Sequence, residues 1–180
     1  MKKRKIVLAI TGASGLQYGV RLNEVLREGG HEVMLIRGSG AEAVAKEEGV
    51  KLPKFDFDCK EVGAPPASGS HKVDGMIIAP CSLKTLGEIA SGVGGNLVSR
   101  SAEVMLKERR KLVLVVRETP LSYIAIKNME KITLAGGVIL PACPGFYSKP
   151  KKIGELIDFV CGKTLDQFDI EHALFTRWKS

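Results

Sequence analysis

The sequence predicts an α/β protein built on a parallel, doubly wound sheet with helices on both faces. Three observations predict it. Short continuous apolar runs alternate with helical stretches along the whole chain. Those runs are apolar throughout rather than alternating, as strands buried on both faces require. The glycine-rich and polar motifs all follow strands, where such a sheet binds its ligands.

Ile6–Ile10 is the first strand. Thr11-Gly12-Ala13-Ser14-Gly15 follows, and a helix runs from about Leu16 to Arg27, stopped by Gly29-Gly30. Val33–Ile36 is the second strand and Ala41–Glu48 a short helix. Lys51 to Pro66 is polar and broken by prolines, so it reads as an irregular loop. Gly75–Ala79 is a strand ended by Pro80, and Leu83–Ala90 is helical. Gly92, Gly94 and Gly95 break the chain before a helix from Leu97 to Arg110. Leu112–Val116 is a strand. Pro120 can open the next helix, which runs to about Leu134. Val138–Leu140 is the last strand, and a proline-rich loop leads to a helix from Ile153 to about Phe168. With no internal repeat and no dividing linker, residues 1–180 read as one domain.

Composition narrows the function classes. Hydrophobic residues make up 44% and charged residues 26%, an ordinary globular balance. No apolar run approaches the ~18 residues of a membrane span, and the basic start Lys2–Lys5 leads into a run that ends at Thr11-Gly12, unlike a signal peptide. The expectation is a cytoplasmic protein without a membrane partner. Cys59, Cys81, Cys143 and Cys161 fit neither a zinc site nor a disulfide framework. The net charge of +7 raises nucleic-acid binding, but no interleaving of aromatic and basic residues supports it. Much of the charge lies in the Lys2–Lys5 and Lys149–Lys152 runs, which read as solvated surface. The interior basic residues fall beside glycines and hydroxyls, which suits small phosphate ligands.

Gly12-Ala13-Ser14-Gly15 joins a strand to a helix whose free N–H groups favour an anion; it can equally be a plain turn with Ser14 as N-cap. Pro80-Cys81-Ser82-Leu83-Lys84-Thr85 repeats the arrangement. Arg117-Glu118-Thr119-Pro120 sits at a strand end, where Arg117 can hold phosphate and Glu118 can move a proton, or the two can form a surface ion pair. Arg100 and Lys107 lie seven residues apart on one helix face. Tyr147, in Pro144-Gly145-Phe146-Tyr147, and Lys163 complete the candidates. There is no Walker lysine motif and no aspartate-rich magnesium motif; Asp56-Phe57-Asp58 reads as an acidic turn. His31, His71 and His172 stand outside the strand-end motifs, with His31 read as a surface residue. This weakens an enzyme, such as a decarboxylase, that relies on a histidine beside its ligand. A non-catalytic carrier of a small phosphate-bearing ligand accounts for the turns but not for the additional basic set.

In order along the chain, Gly12–Gly15 with Tyr18–Leu22, Ser68-Gly69-Ser70, Pro80–Thr85, Leu106–Arg110, Arg117–Leu121, Phe146-Tyr147 and Leu165-Asp166-Gln167 resemble the UbiX flavin prenyltransferases. Each motif alone is weak; the ordered set is specific and spans nearly the whole chain. The resemblance implies a flavodoxin- or Rossmann-like fold. It also implies reduced FMN as the flavin, dimethylallyl monophosphate (the diphosphate in some members) as prenyl donor, and prenylated FMN, joined at N5 and C6, as product for UbiD-type decarboxylases. It implies no metal, and a homo-oligomer, a dodecamer of trimers with sites between subunits. By the same resemblance Gly12, Ala13, Ser14, Ser39, Ser82, Leu83, Lys84, Thr85 and Arg117 contact FMN. Arg100, Lys107, Tyr147 and Lys163 hold the prenyl phosphate. Ser14 and Glu118 assist proton transfers with a further glutamate, Glu47 or Glu48, of which Glu48 is favoured. Lys163 stands where similar members often carry arginine; lysine keeps the charge but loses arginine's bidentate fork, and the segment between Glu48 and Ser68 is short.

Overall fold

Six parallel strands form one sheet in the order β3-β2-β1-β4-β5-β6 in the computed structural model, which describes residues 2–178. The strands are β1 (Lys5–Ile10), β2 (Glu32–Arg37), β3 (Phe57–Asp58), β4 (Gly75–Cys81), β5 (Lys111–Val116) and β6 (Val138–Ile139). The helices are α1 (Leu16–Glu28), α2 (Ala41–Glu48), α3 (Leu83–Ala90), α4 (Leu97–Lys107), α5 (Tyr123–Leu134) and α6 (Ile153–Asp166).

The side-chain alternation of the strands sorts the core into two halves. Ile6, Leu8 and Ile10 of β1 face one way, with Leu35, Ile77 and Val113, onto α1, α2 and α6. Val7 and Ala9 face the other way, with Ile36, Ile78 and Leu114, onto α3, α4 and α5. Both faces of the central strands are therefore covered, which is why their sequences are continuously apolar. The order reverses between β1 and β4. β1 leads to a helix on one face and β4 to a helix on the other, leaving a crevice at their carboxyl ends.

Several boundaries differ from expectation. The segment from Lys51 to Pro66 supplies an edge strand, because Phe57 and Asp58 pair with Ile36 and Arg37 and the Arg37 guanidinium grips the Asp58 carboxylate. β4 continues through Pro80 to Cys81 with a register shift after Ile78; the Ala79–Pro80 peptide is cis. Pro120 does not open α5. Its own peptide bond is cis, and the helix starts after Ser122, whose hydroxyl accepts the Ala125 N–H at 3.2 Å. α4 stops at Lys107, short of Arg110, since Arg109 is left-handed with φ 55°; Asn96 and Ser99 form a capping box at its start. His31 is not a surface residue: it is buried, and its Nδ1 accepts the Arg4 N–H at 3.0 Å. None of the four cysteines is paired; Cys59, Cys81 and Cys161 are buried, and Cys143 is exposed.

α5 carries an apolar exterior. Tyr123 is 75% exposed, Ile124 72% and Leu134 81%.

Candidate active site

The crevice between β1 and β4 is lined by four strand-end loops. Thr11, the first residue after β1, ties two of them together. Its hydroxyl donates to Pro80 O at 2.7 Å and accepts the Ser82 N–H at 3.0 Å. The third loop closes from β2, where Gly38 N–H donates to Ile10 O at 2.8 Å. Gly12 lies so close to it that a Cβ would stand 2.8 Å from the backbone of Gly40. Across the crevice the Lys84 ammonium reaches the Ser39 hydroxyl at 3.3 Å. Ser82 caps α3, its Oγ accepting the Thr85 N–H at 3.3 Å. Gly12, Ala13, Ser14, Ser39 and Ser82–Thr85 therefore border one cleft, with the N-terminus of α3 directed at it.

Arg117 enters from the end of β5. Its backbone N–H donates to Cys81 O at 3.3 Å, and its Nε donates to Ser14 O at 3.1 Å, which brings the guanidinium to the start of α1. Ser14 is not the N-cap of that helix. Gly15 takes the position in a left-handed conformation, φ 92°, and a carboxylate from α2 does the capping. Glu48 Oε1 accepts the Gly15 N–H at 2.9 Å, and Oε2 lies 3.4 Å from the Leu16 nitrogen. Burial pushes the Glu48 carboxyl upward. The Ser14 hydroxyl, the Gly15 and Leu16 N–H groups and the nearby Arg117 charge outweigh it and hold it below the usual range. Glu48 is thus a carboxylate hydrogen-bonded to Ser14 and facing Arg117, whereas Glu47 is exposed. Glu118 is exposed and folds back on its own chain, Oε1 accepting the Thr119 N–H at 3.0 Å.

Tyr18, marked in sequence only as part of the Tyr18–Leu22 motif and given no role there, joins this group. Its ring lies over Gly15, where a Cβ would come within 2.9 Å of it. Burial raises its hydroxyl pKa, the Cys161 and Cys143 thiols add to that, and Arg117 opposes it. The phenol is therefore a neutral donor at pH 7. The signal available in sequence was its place one turn after Ser14 on α1.

The four basic and phenolic candidates divide between the two faces of the sheet. Arg100 and Lys107 lie on α4, paired with Glu103 and Glu108 respectively. Tyr147 and Lys163 lie with α6: Tyr147 packs edge-on against Phe159 at 5.6 Å between ring centroids, and Lys163 stands on α6 itself. An apolar recess of about 290 Å³ runs between Leu140, Pro141, Cys143, Phe159 and Lys163. Trp178, in the C-terminal tail, meets Tyr147 edge-on at 5.2 Å. Arg110 on the α4 side holds the Ser68-Gly69-Ser70 loop, donating to Gly69 O and His71 O. Among the described residues, no group of three histidine, cysteine, aspartate or glutamate side chains is placed to hold a metal ion.

Comparison with known proteins decides what this crevice belongs to. The Flavoprotein family model matches residues 1–165. The flavin prenyltransferase UbiX of Halalkalibacterium halodurans is 46% identical over 95% of this chain and 91% of its own length. The chain belongs to the UbiX flavin prenyltransferase family. A crystal structure of the UbiX protein AnUbiX (PadA1), in complex with FMN and dimethylallyl pyrophosphate, superposes with a TM-score of 0.94. It is 44% identical and covers 99% of both chains. A dodecameric FMN-dependent UbiX-like decarboxylase from Escherichia coli O157:H7 superposes with a TM-score of 0.92 at 38% identity, over 98% of this chain and 100% of its own. The parallel sheet with its switch-point crevice is thus the UbiX fold, of the flavodoxin-like α/β class.

Proposed function

We propose that this chain is a flavin prenyltransferase that moves a dimethylallyl group from dimethylallyl monophosphate to reduced FMN, giving prenylated FMN without a metal. The observation that carries the reading is the convergence of Ser14, Glu48 and Arg117 at the mouth of a glycine-bordered switch-point crevice, in a chain 44% identical to a UbiX protein with flavin and prenyl donor bound. The residues present fit a flavin mononucleotide. Gly12 lets the β1 and β2 strand-end loops pack together at the crevice, and Ser39, Ser82 and Lys84 offer hydroxyls and a cation beside a helix N-terminus.

Bound FMN supplies the nucleophilic N5 and C6 positions. The chain's own residues do the rest. Gly12, Ala13, Ser14, Ser39, Ser82, Leu83, Lys84, Thr85 and Arg117 hold the flavin. Arg100, Lys107, Tyr147 and Lys163 hold the phosphate of the donor, and fixed positive charge stabilises that group more as it leaves as an anion. Ser14, hydrogen-bonded to a Glu48 that stays ionised, can pass a proton at the flavin edge, and Glu118 beside Arg117 can serve the departing phosphate. Holding the allylic carbon against the flavin supplies the proximity contribution.

The phosphate set divides between the two faces of one chain, and we assign Arg100 and Lys107 of each site to one copy and Tyr147 and Lys163 to another. This supports a homo-oligomer, as does the exposed apolar exterior of α5, and the dodecamer of the Escherichia coli neighbour is the assembly we adopt. No helix among the described residues is long and apolar enough to cross a membrane; we place the protein in the cytoplasm, with a UbiD-type decarboxylase as recipient of its product.

A decarboxylase is the second reading, since the Escherichia coli neighbour bears that description. The histidines argue against it. His31 is buried against Arg4, His71 lies in the loop held by Arg110, and His172 is bonded to Asp166, so none faces the crevice. Flavin extracted after incubation with donor and reduced FMN should activate a cofactor-free UbiD-type decarboxylase. Extracts that leave that enzyme inactive would count against prenylated FMN as the product.

A further inference from the structure

The C-terminal segment 170–178 folds back along α6, and one carboxylate fastens it. His172 Nε2 lies 3.1 Å from Asp166 Oδ1, and Arg177 grips both oxygens, Nη2 to Oδ1 at 2.7 Å and Nη1 to Oδ2 at 3.2 Å. The Leu174 N–H donates to His172 Nδ1 at 3.3 Å. A neutral ring therefore carries its proton on Nε2 and donates it to Asp166. Gly162 makes the fold-back possible, because a Cβ there would stand 2.5 Å from the Phe175 ring and 2.6 Å from His172. Beyond this point Phe175 packs on Phe159 at 4.9 Å between centroids, and Trp178 reaches Tyr147. The segment is a strap whose far end rests on a residue of the phosphate set.

The same carboxylate faces the other member of that set on this side of the sheet. Lys163 Nζ stands 3.4 Å from Asp166 Oδ2, the oxygen that Arg177 Nη1 also uses. Lys163 stands outside the strap with a side chain 46% exposed, so it can leave Asp166 without undocking the strap, whereas His172 (3%) and Arg177 (50%) belong to the strap itself. We propose that Asp166 is a positioning residue that couples Lys163 to the strap, so that binding of the donor phosphate and docking of the Trp178-bearing strap strengthen each other. The proposal rests on the reading of Lys163 and Tyr147 as holders of that phosphate.

The coupling follows from competition for one acceptor. Lys163 Nζ and Arg177 Nη1 share Asp166 Oδ2, at 3.4 and 3.2 Å, so each cation draws on the same oxygen at the other's expense. Burial pushes the Asp166 carboxyl up, but the bonds from Arg177 and His172 hold it below the usual range, so it stays charged at neutral pH. When the Lys163 ammonium turns to a phosphate, Asp166 loses a competitor and its bonds to the strap strengthen. Linkage makes the effect reciprocal: a docked strap, by satisfying Asp166, leaves Lys163 freer to engage the donor.

Trp178 is the only tryptophan of the chain, so its fluorescence reads the strap directly. FMN-loaded protein is titrated with dimethylallyl monophosphate, following Trp178 emission, and the KM for the donor is measured separately. The wild type should show a saturable emission change. Asp166→Asn should remove that change and raise the donor KM about tenfold, with FMN affinity unaltered. Arg177→Gln, at a half-exposed side chain, should also remove the emission change and raise KM by a smaller factor; it carries the test should Asp166→Asn fail to fold. Wild-type KM and emission response in Arg177→Gln, or in a folded Asp166→Asn, would overturn the coupling. Lys163→Met separates the two levels. If it raises the donor KM while the other variants behave as wild type, the coupling alone is wrong; if it leaves KM unchanged, the phosphate reading of Lys163 fails, and the coupling with it.

Discussion

Glu48 caps α1 from another helix, its Oε1 accepting the Gly15 N–H at 2.9 Å. The carboxylate thus meets the positive end of α1 and the Ser14 hydroxyl at once. Glu48→Gln keeps the shape but removes the charge. It should lower stability by about 0.5–1 kcal/mol and slow prenyl transfer much more than it weakens FMN binding. Urea unfolding and single-turnover rates on the same preparation check both halves.

Gly12 is tied to the β2–α2 loop by lack of space rather than by φ. Alanine there puts a Cβ 2.8 Å from Gly40 backbone atoms, and neither strand-end loop can yield without moving the crevice. Gly12→Ala should fold and lose at least about tenfold in FMN affinity, overpacking of this kind costing ~1–3 kcal/mol. Quenching of flavin fluorescence measures it.

Acid should destabilise the fold in two stages. His31 is buried, and burial, with Arg4 and Lys3 against Asp74, depresses its pKa below 6.5. The unfolded chain then binds that proton first, so stability starts to fall as pH drops below 6.5. Asp74 is pushed up by burial but held below 3.8 by the Lys5 N–H and by Arg4. Its contribution is complete above 3.8 and is lost as pH falls through the lower folded value. Thermal midpoints from pH 8 to 3 should show both limbs. His31→Gln should flatten the upper one, and Asp74→Asn should reduce the lower one, to which Glu48 and Asp166 also contribute.

The division of the phosphate set between the two sheet faces gives a test by mixing. An Arg100→Ala/Lys107→Ala chain and a Lys163→Met chain should each be nearly inactive. Unfolded and reassembled together they should regain activity, because some sites then draw intact halves from two different copies. Absence of any recovery in verified mixed oligomers would mean that each site is built within one chain.

The sheet was legible because its strands are continuous apolar runs, Ile6–Ile10 and Leu112–Val116 above all, and burial on both faces leaves that signature. β3 was not, because two residues paired through backbone and an Arg37–Asp58 grip leave no apolar pattern in a proline-broken segment. The start of α5 was misplaced because Pro120 and Ser122 are both valid openers, and only the Ala125 N–H shows which one caps. In the crevice, the glycine and hydroxyl turns could be read from their position after strands. The choice between Glu47 and Glu48 could not, since neighbours on a helix point about 100° apart and only the position of α1 selects the one that reaches Gly15. Spacing along the chain likewise said nothing of which face carries Arg100 and which carries Lys163.

The mass of the flavin tests the central claim most directly. The purified protein is incubated without oxygen with reduced FMN and dimethylallyl monophosphate, and the flavin is extracted and weighed by mass spectrometry. The account predicts a gain of one C5H8 unit, absent without protein and reduced when Lys163 or Glu48 is replaced. Unchanged FMN with both the monophosphate and the diphosphate, in protein that binds the flavin tightly, would contradict it and favour a flavin carrier or decarboxylase on the same fold.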